Sequence, residues 1–593
     1  MDVERHHDAV VVTTDAYRLE LPVTHPQARL TATVGGSVLR LMLLAALDTD
    51  HGPDGTLAVE SPDIDDGADA VRVRIRAEST AWDAKELELT CRRDEIGLRW
   101  TVRGAGRLTE TRLLGGPYTG TVRWGGGTFH SGWTARKLFC PSPDDPSRVL
   151  TPAGEPAAIG VVGSSMPGRG HWFFTPAPFL VAGTDSDVDD PDDPAAPPWT
   201  ILELRASLED CTFTEMRYAP ILGGFSLLLD YDGETPVDGE HTTPELVVRL
   251  GVNDPYTAIG DHAERLRTHG NAPTVERHQP PWWTRPIFCG WGEQCRQARH
   301  SGTHASTWSR QDAYDRWLAL LADHDIRPGT ITIDDKWQRT YGRNEVDEER
   351  WRDLRGWIAD RHGAGQRVLL WFKAWDPEGL PDEACITDRL GQRVAADPES
   401  PAYASILEAS LHRMLGREGL DADGLKVDFT AQTPSGPGLR HAGASWGARL
   451  LHRLLERLYD GAKEAKPDAL IVTHTPNPHF ADVTDMIRLN DLLRLDEPDP
   501  FAAAVPQMRH RARIARAVDP GWLIDTDDWC MPTKAEWRSY LALKPDLGVP
   551  ALYYATGTDL SDEDFTEDDY IAIREAWARW EAHRVQDALT DDR

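Results

Sequence analysis

The chain has 593 residues, too many for one compact core, so two or three domains are expected. Hydrophobic residues make up 40% and charged residues 27%, the balance of a globular chain rather than a disordered one. A formal net charge of -32 repels nucleic acid and anionic membranes, which leaves neutral or cationic small molecules as the expected ligands.

The N-terminus, Met1-Asp2-Val3-Glu4-Arg5-His6-His7, lacks the basic-then-apolar order of a signal peptide. No run of about 18 apolar residues offers a membrane span. The first half then reads as β-rich. Leu39–Leu47 is an apolar core strand, and Val71–Arg76 alternates apolar and basic residues with period two. Leu87–Thr90, Gly97–Arg103 and Ile201–Leu208 repeat that pattern. Breaks such as Gly115-Gly116-Pro117 separate the strands, and Asp185–Pro198 is an acidic, Pro-rich loop. The pattern predicts a large antiparallel sandwich, then a helix near Asp254–His269. Seven scattered cysteines without a CxxC pair predict a reducing cytoplasm, with neither disulfides nor structural zinc.

From about Pro286 short apolar strands alternate with amphipathic helices, the mark of parallel βα units. Eight strand candidates follow: Ile287–Gly290, Thr330–Ile333, Arg367–Phe372, Gly424–Val427, Leu470–Thr473, Met486–Leu489, Gly521–Ile524 and Ala551–Tyr554. Between them, Ser309 with Asp312 makes a capping box. Ser400-Pro401 opens a helix with Ile406, Leu407, Leu411, Met414 and Leu415 on one face. Leu450, Leu451, Leu454, Leu455 and Leu458 form another stripe, and Thr533 with Glu536 caps the helix before the last strand. The predicted architecture is multi-domain: an N-terminal antiparallel β-sandwich followed by a (β/α)8 TIM barrel. Its expected boundaries are 1–270 for the sandwich, 271–284 for a linker and 285–593 for the barrel.

Chemistry in such barrels sits at the C-terminal strand ends, where the βα loops converge. The second strand runs into Asp334-Asp335-Lys336-Trp337, and the third ends at Trp371-Phe372-Lys373. The fourth carries Lys426 and ends at Asp428, the fifth ends at His474, the sixth at Arg488 and Asn490-Asp491, and the seventh at Asp525, Asp527 and Asp528. Trp291, Trp337, Trp371, Trp375 and Trp529 also fall near strand ends. Indole faces stack on the C–H faces of pyranoses, while carboxylates accept hydrogen bonds from hydroxyls. An isolated Asp here could cap a helix, an isolated Trp could be core, and His474 could be structural. Their conjunction, with Lys426 needing an anionic partner inside the barrel, points to a sugar site.

Two carboxylates from different strands suit glycoside hydrolysis, with one attacking or stabilising the anomeric carbon and the other protonating the leaving oxygen. Lys426, two residues from Asp428 on the same strand face, is expected to hold it ionised. The acid is expected in a drier spot without a basic partner. Asp491 is the candidate by position.

The motifs IDDKWQ (Ile333–Gln338), LWFKAW (Leu370–Trp375), GLKVDF (Gly424–Phe429) and IRLND (Ile487–Asp491) resemble the α-galactosidase/α-glucosidase clan of retaining glycosidases. The likeness is greatest to the bacterial α-galactosidase and raffinose-synthase group, which also has a large sandwich before its barrel. The resemblance implies Asp428 as nucleophile, in a Lys-x-Asp context, and Asp491 as acid/base. It implies Asp334 and Asp335 as ligands of sugar hydroxyls. Trp291, Trp337, Trp371, Lys373, Lys426, His474, Arg488, Asp525, Asp527 and Asp528 complete the expected substrate-binding set. This sequence departs from the group in several places. His474-Thr475-Pro476-Asn477-Pro478-His479 stands where the group has a Cys- and Gly-rich loop, Lys373 stands where an acid is usual, and no C-terminal β-domain follows the barrel.

The expectation is a cytoplasmic retaining α-glycosidase acting on an oligosaccharide or glycoside, with no cofactor, no metal, no nucleic acid and no membrane partner. Homo-oligomerisation stays open. Within the class, α-glucosidase, α-xylosidase and transglycosylating activities are alternatives, and Lys373 leaves an anionic sugar open. A metal-dependent barrel hydrolase is a rival, although the sequence has no HxH or HExxH pair. A non-catalytic sugar binder is another, although it has little reason to keep Lys426, Asp428 and Asp491 together. Whether the sandwich lends a loop to the site or a surface for dimerisation stays open, and His130–Lys137 is the stretch to watch.

Overall fold

The computed structural model describes residues 1–120, 126–141, 157–160, 176–185, 198–221, 224–492 and 504–591. Most of the acidic stretch Asp185–Pro198 lies outside the described residues. The first five strands, from Asp2–Arg5 to Val38–Met42, form an antiparallel meander with Gly132–Trp133 on its far edge. A fifteen-stranded sheet is built around two long strands, Glu95–Arg112 and Gly224–Thr242, which pair antiparallel.

Period-two patterning sets the faces of this domain. In Val71–Ser79 the residues Val71, Val73 and Ile75 are buried while Arg72, Arg74 and Arg76 face solvent, where Arg74 and Arg76 meet Glu88 and Glu86 of the neighbouring strand. Leu39–Leu47, expected as one strand, is two, Val38–Met42 and Ala46–Thr49. Gly115–Tyr118, expected as a break, is a short strand paired with Gly127–His130. A Cβ on Gly115 would lie 2.5 Å from the Phe129 carbonyl oxygen, so the two backbones approach this closely only through glycine.

The helix Pro255–Thr268 follows, capped by Asp254, and docks on the second half through Tyr256 Oη to His510 Nδ1 at 2.7 Å and Arg267 Nη1 to the Val518 carbonyl. The eight barrel strands are β1 (Ile287–Cys289), β2 (Thr330–Ile333), β3 (Arg367–Lys373), β4 (Gly424–Asp428), β5 (Leu470–Thr473), β6 (Met486–Arg488), β7 (Leu523–Asp525) and β8 (Ala551–Leu552). They pair in parallel in the order β7-β6-β5-β4-β3-β2-β1-β8, and a parallel bridge from Asp525 to Val549 brings β7 to the residue run before β8.

The helix Pro401–Leu415 is capped by Ser400, and Lys534–Leu547 by Thr533. Ser309 does not cap. Its helix begins at Gln311 behind Arg310, and the Ser309 hydroxyl instead donates to the Asp334 carbonyl at 2.8 Å. Among the described residues no helix is long and apolar enough to cross a membrane.

Candidate active site

The C-terminal ends of β4, β5, β6 and β7 converge on one guanidinium. Arg488, buried at the end of β6, donates from Nη2 to Asp428 Oδ1 at 2.9 Å. It donates from Nη1 to Asp527 Oδ2 at 2.7 Å and to Asp491 Oδ1 at 3.2 Å. β4 brings Asp428 here because residues two apart on a strand share a face, and its register opposite Lys373 of β3 sets its height in the barrel. Asp428 Oδ1 also accepts the Phe429 N–H at 2.9 Å, and Oδ2 accepts Trp371 Nε1 at 3.1 Å.

Lys426 does not pair directly with Asp428 as expected. Its Nζ lies 2.7 Å from Asp334 Oδ2, because β2 and β4 both turn these side chains into the barrel interior. Asp334 also accepts from Cys289 Sγ at 3.1 Å and from the Asp335 N–H at 2.9 Å. With that set of donors and almost no exposed surface, Asp334 is part of the floor rather than an open ligand.

The two carboxyls on Arg488 are driven apart in protonation. Burial alone would raise Asp428, but the Arg488 guanidinium, then Lys426, outweigh it and hold the group far below the ordinary carboxylate range. Burial is the largest influence on Asp491 and, with the charges of Asp527 and Asp428 beside it, outweighs the pull of Arg488, pushing the group up to about 7. The acid candidate therefore does have a basic neighbour, the Arg488 that the sequence already places three residues before it. Both side chains stay partly open, 24% and 26% exposed.

Asp335 accepts from Tyr341 Oη at 2.8 Å, and burial raises it to about 6. Tyr341 lies between two ammonium groups, Lys336 at 4.0 Å and Lys373 at 4.3 Å from its ring centre. Each lysine is neutralised, Lys336 by Glu378 and Lys373 by Asp376. Trp291 and Trp529 meet edge to face with centroids 5.8 Å apart, and Trp529 Nε1 donates to Asp559 at 3.1 Å.

Several expected substrate ligands are walls instead. Trp337 is fully buried with Nε1 on the Trp371 carbonyl. Trp371 is buried too, and it reaches the site through Nε1 on Asp428 and through edge-to-face contacts with Tyr341 and Phe429. His474 is buried between Thr430 Oγ1 at 2.6 Å and Arg488 at 3.3 Å, and burial next to that cation lowers it to about 3, so it is neutral at pH 7. Asp528 is enclosed by Lys544 at 2.7 Å and Trp537 Nε1 at 3.1 Å. Asp527 has no exposed surface and both its oxygens are taken. Asp525 is buried and accepts the Asp527 N–H.

The sequence reading missed Tyr341, Phe429 and Asp559. Tyr341 follows Asp335 by six residues in the same loop, so spacing could have suggested it. Asp559 follows β8 in a run with no periodic signal. The His130–Lys137 stretch serves the sandwich itself, with Trp133 Nε1 on Tyr218 Oη and Ser131 Oγ on the Leu114 carbonyl. The first domain reaches the barrel loops elsewhere, through Glu234 on the Gly438 N–H at 2.8 Å and the Ala177 carbonyl on Asn477. Among the described residues no group of three or more His, Cys, Asp or Glu is arranged to hold a metal ion.

No family model and no curated protein matches this chain. Among solved structures it is similar to a GH31-family sulfoquinovosidase from E. rectale in complex with an aza-sugar inhibitor. That match has a TM-score of 0.61 and 11% identity, over 98% of this chain and 82% of that one. It is also similar to a cycloalternan-degrading enzyme from Trueperella pyogenes (TM-score 0.52, 12% identity, 98% and 83% covered). A third similarity is to an α-galactosidase from Thermus thermophilus in complex with stachyose (TM-score 0.50, 14% identity, 92% and 98% covered). At these identities the likeness is one of fold: a β-sandwich domain followed by a (β/α)8 barrel.

Proposed function

We propose that the protein is a retaining α-glycosidase, with Asp428 as nucleophile and Asp491 as acid/base. One observation carries the reading: two partly open carboxyls share a single guanidinium, yet one is held ionised and the other is raised to about 7. Environments that push two neighbouring acids apart assign the roles of base and acid. The names of proteins with this fold, all acting on sugars, support the class.

In the first step an Asp428 oxygen forms a bond to C1 while the bond from C1 to the leaving oxygen breaks, and that oxygen takes the Asp491 proton. Oδ2, with Trp371 as its one hydrogen-bond donor, keeps a lone pair for the attack. Esterification removes the Asp428 charge, which had helped to hold the proton on Asp491, so Asp491 stays ionised after giving up its proton and is available as the base. It then takes a proton from water as the water oxygen bonds to C1 and the ester bond breaks, returning Asp428 as carboxylate.

Asp335 and the Trp291–Trp529 pair are the sugar contacts of this reading. Because Lys336 and Lys373 are already neutralised, a neutral glycoside is favoured over an anionic one. The sequence resemblance to the α-galactosidase group makes an α-galactoside the first candidate to test. The seven free thiols support a reducing compartment.

The test is a panel of aryl α-glycosides with wild type and Asp428→Ala, adding azide to the variant. Turnover of one glycoside, its loss in the variant and rescue by azide as the β-glycosyl azide are expected. Unchanged activity in Asp428→Ala would overturn the reading.

A further inference from the structure

Asp527 was expected to bind substrate, and its geometry excludes that. Its side chain is fully buried. Oδ1 accepts the N–H groups of Asp528 at 2.5 Å and Trp529 at 3.0 Å, a local clasp that supports its positive φ of 48°. Oδ2 sits 2.7 Å from Arg488 Nη1, the same nitrogen that reaches Asp491 at 3.2 Å. Asp527 thus holds the shorter of two contacts on a shared donor, and it does so with no exposed surface, whereas Asp491 is 26% exposed.

We propose that Asp527 is a positioning residue: a buried counter-charge that divides the Arg488 Nη1 donor with Asp491 and so keeps that acid in its proton-donating form without touching the sugar. The inference rests on the assignment of Asp491 as acid/base. Its physical basis is charge counting in a dry site. Arg488 alone is one positive charge facing Asp428 and Asp491, and that field would draw the proton off Asp491. Asp527 offsets the field and adds a like charge near Asp491. Unlike Asp428, it is not esterified during turnover, so its effect is constant through both steps.

Among the described residues the other groups acting on Asp491 are Arg488, Asp428 and Lys426 from β4 and β6, and the thiols Cys295, from the helix after β1, and Cys530. Around Asp527 stand Arg488, Lys426 and Asp525, with His474 after β5, Tyr553 after β8, and Tyr540 and Lys544 on the helix before β8. The thiols, the tyrosines and His474 are all neutral at pH 7. Lys544 is held by Asp528, and Lys426 by Asp334. Asp525 is occupied by the Asp527 N–H, and Asp527 is the buried carboxylate that meets Arg488 on the acid's side.

The experiment is the pH profile of kcat/KM for wild type, Asp527→Asn and Asp491→Asn on aryl glycosides with good and poor leaving groups. Asp527→Asn is expected to move the basic limb to lower pH by at least one unit. That shift lowers activity on the poor leaving group about tenfold above pH 7, with KM unchanged and the good leaving group spared. Asp491→Asn is expected to abolish the limb. If Asp491→Asn abolishes it but Asp527→Asn leaves it in place, this inference falls while the acid assignment stands. If Asp491→Asn leaves the limb in place, the acid assignment falls, and the inference with it. Should Asp527→Asn fold poorly, Asp527→Ser removes the same charge while keeping an oxygen for the backbone donors. The same limb is then read, and an unmoved limb overturns the inference.

Discussion

Lys426→Met tests the floor of the site most directly. The Lys426–Asp334 pair is 2.7 Å long and both side chains are nearly inaccessible, 4% and 3% exposed. Removing the ammonium leaves a buried carboxylate whose hydrogen-bond donors are one thiol and one backbone N–H. Breaking a buried pair from one side costs about 3–5 kcal/mol, whereas replacing both members with neutral groups is close to neutral. At roughly 2 °C per kcal/mol for a domain of this size, the single variant should lower the barrel transition by about 6–10 °C. The double variant Lys426→Met/Asp334→Asn should recover most of that loss. Urea and thermal unfolding followed by tryptophan fluorescence measure both. A double variant as unstable as the single one would refute the pairing argument, because the penalty would then not come from an orphaned charge.

Variants at three further positions test the same structure. Asp491→Asn should lose about 10²–10⁴-fold on glycosides with poor leaving groups, the usual contribution of a general acid, and wild-type kcat/KM should fall as pH rises through about 7. Because folding raises the Asp491 pKa, its stability contribution is present below the unfolded value and lost as pH climbs to 7. Asp491→Asn, neutral throughout, should therefore melt higher relative to wild type at pH 8 than at pH 5, as calorimetry would show. Tyr341→Phe removes the hydrogen bond that lowers the Asp335 pKa, so the rise of KM on acidification below about 6 should begin at higher pH, with kcat little changed. Gly447→Ala should destabilise the domain junction, because Gly447 has φ +56° and a Cβ there would meet the Phe213 carbonyl oxygen at 2.0 Å; limited proteolysis between the two halves reads this.

The alternation of Val71–Ser79 and the leucine stripe of Gly447–Ala465 made their elements legible from sequence, because burial of one face imposes a period that composition cannot hide. The eight barrel strands were legible for a different reason, as short apolar runs buried on both faces between amphipathic helices, and strand-end position gave a set of carboxyls from which the family resemblance picked Asp428 and Asp491. Partner choice was not legible. Lys426 and Asp428 are two residues apart, yet the ammonium bonds Asp334, ninety-two residues away, because barrel closure brings β2 within reach of β4. Asp527 and Asp528 are adjacent in sequence, but the backbone turn between them sends one to Arg488 and the other to Lys544. Local sequence determined which residues stand at the strand ends. Only the closed barrel decided which carboxyl shares which cation, since pairing depends on distances between strands that sequence separation does not encode.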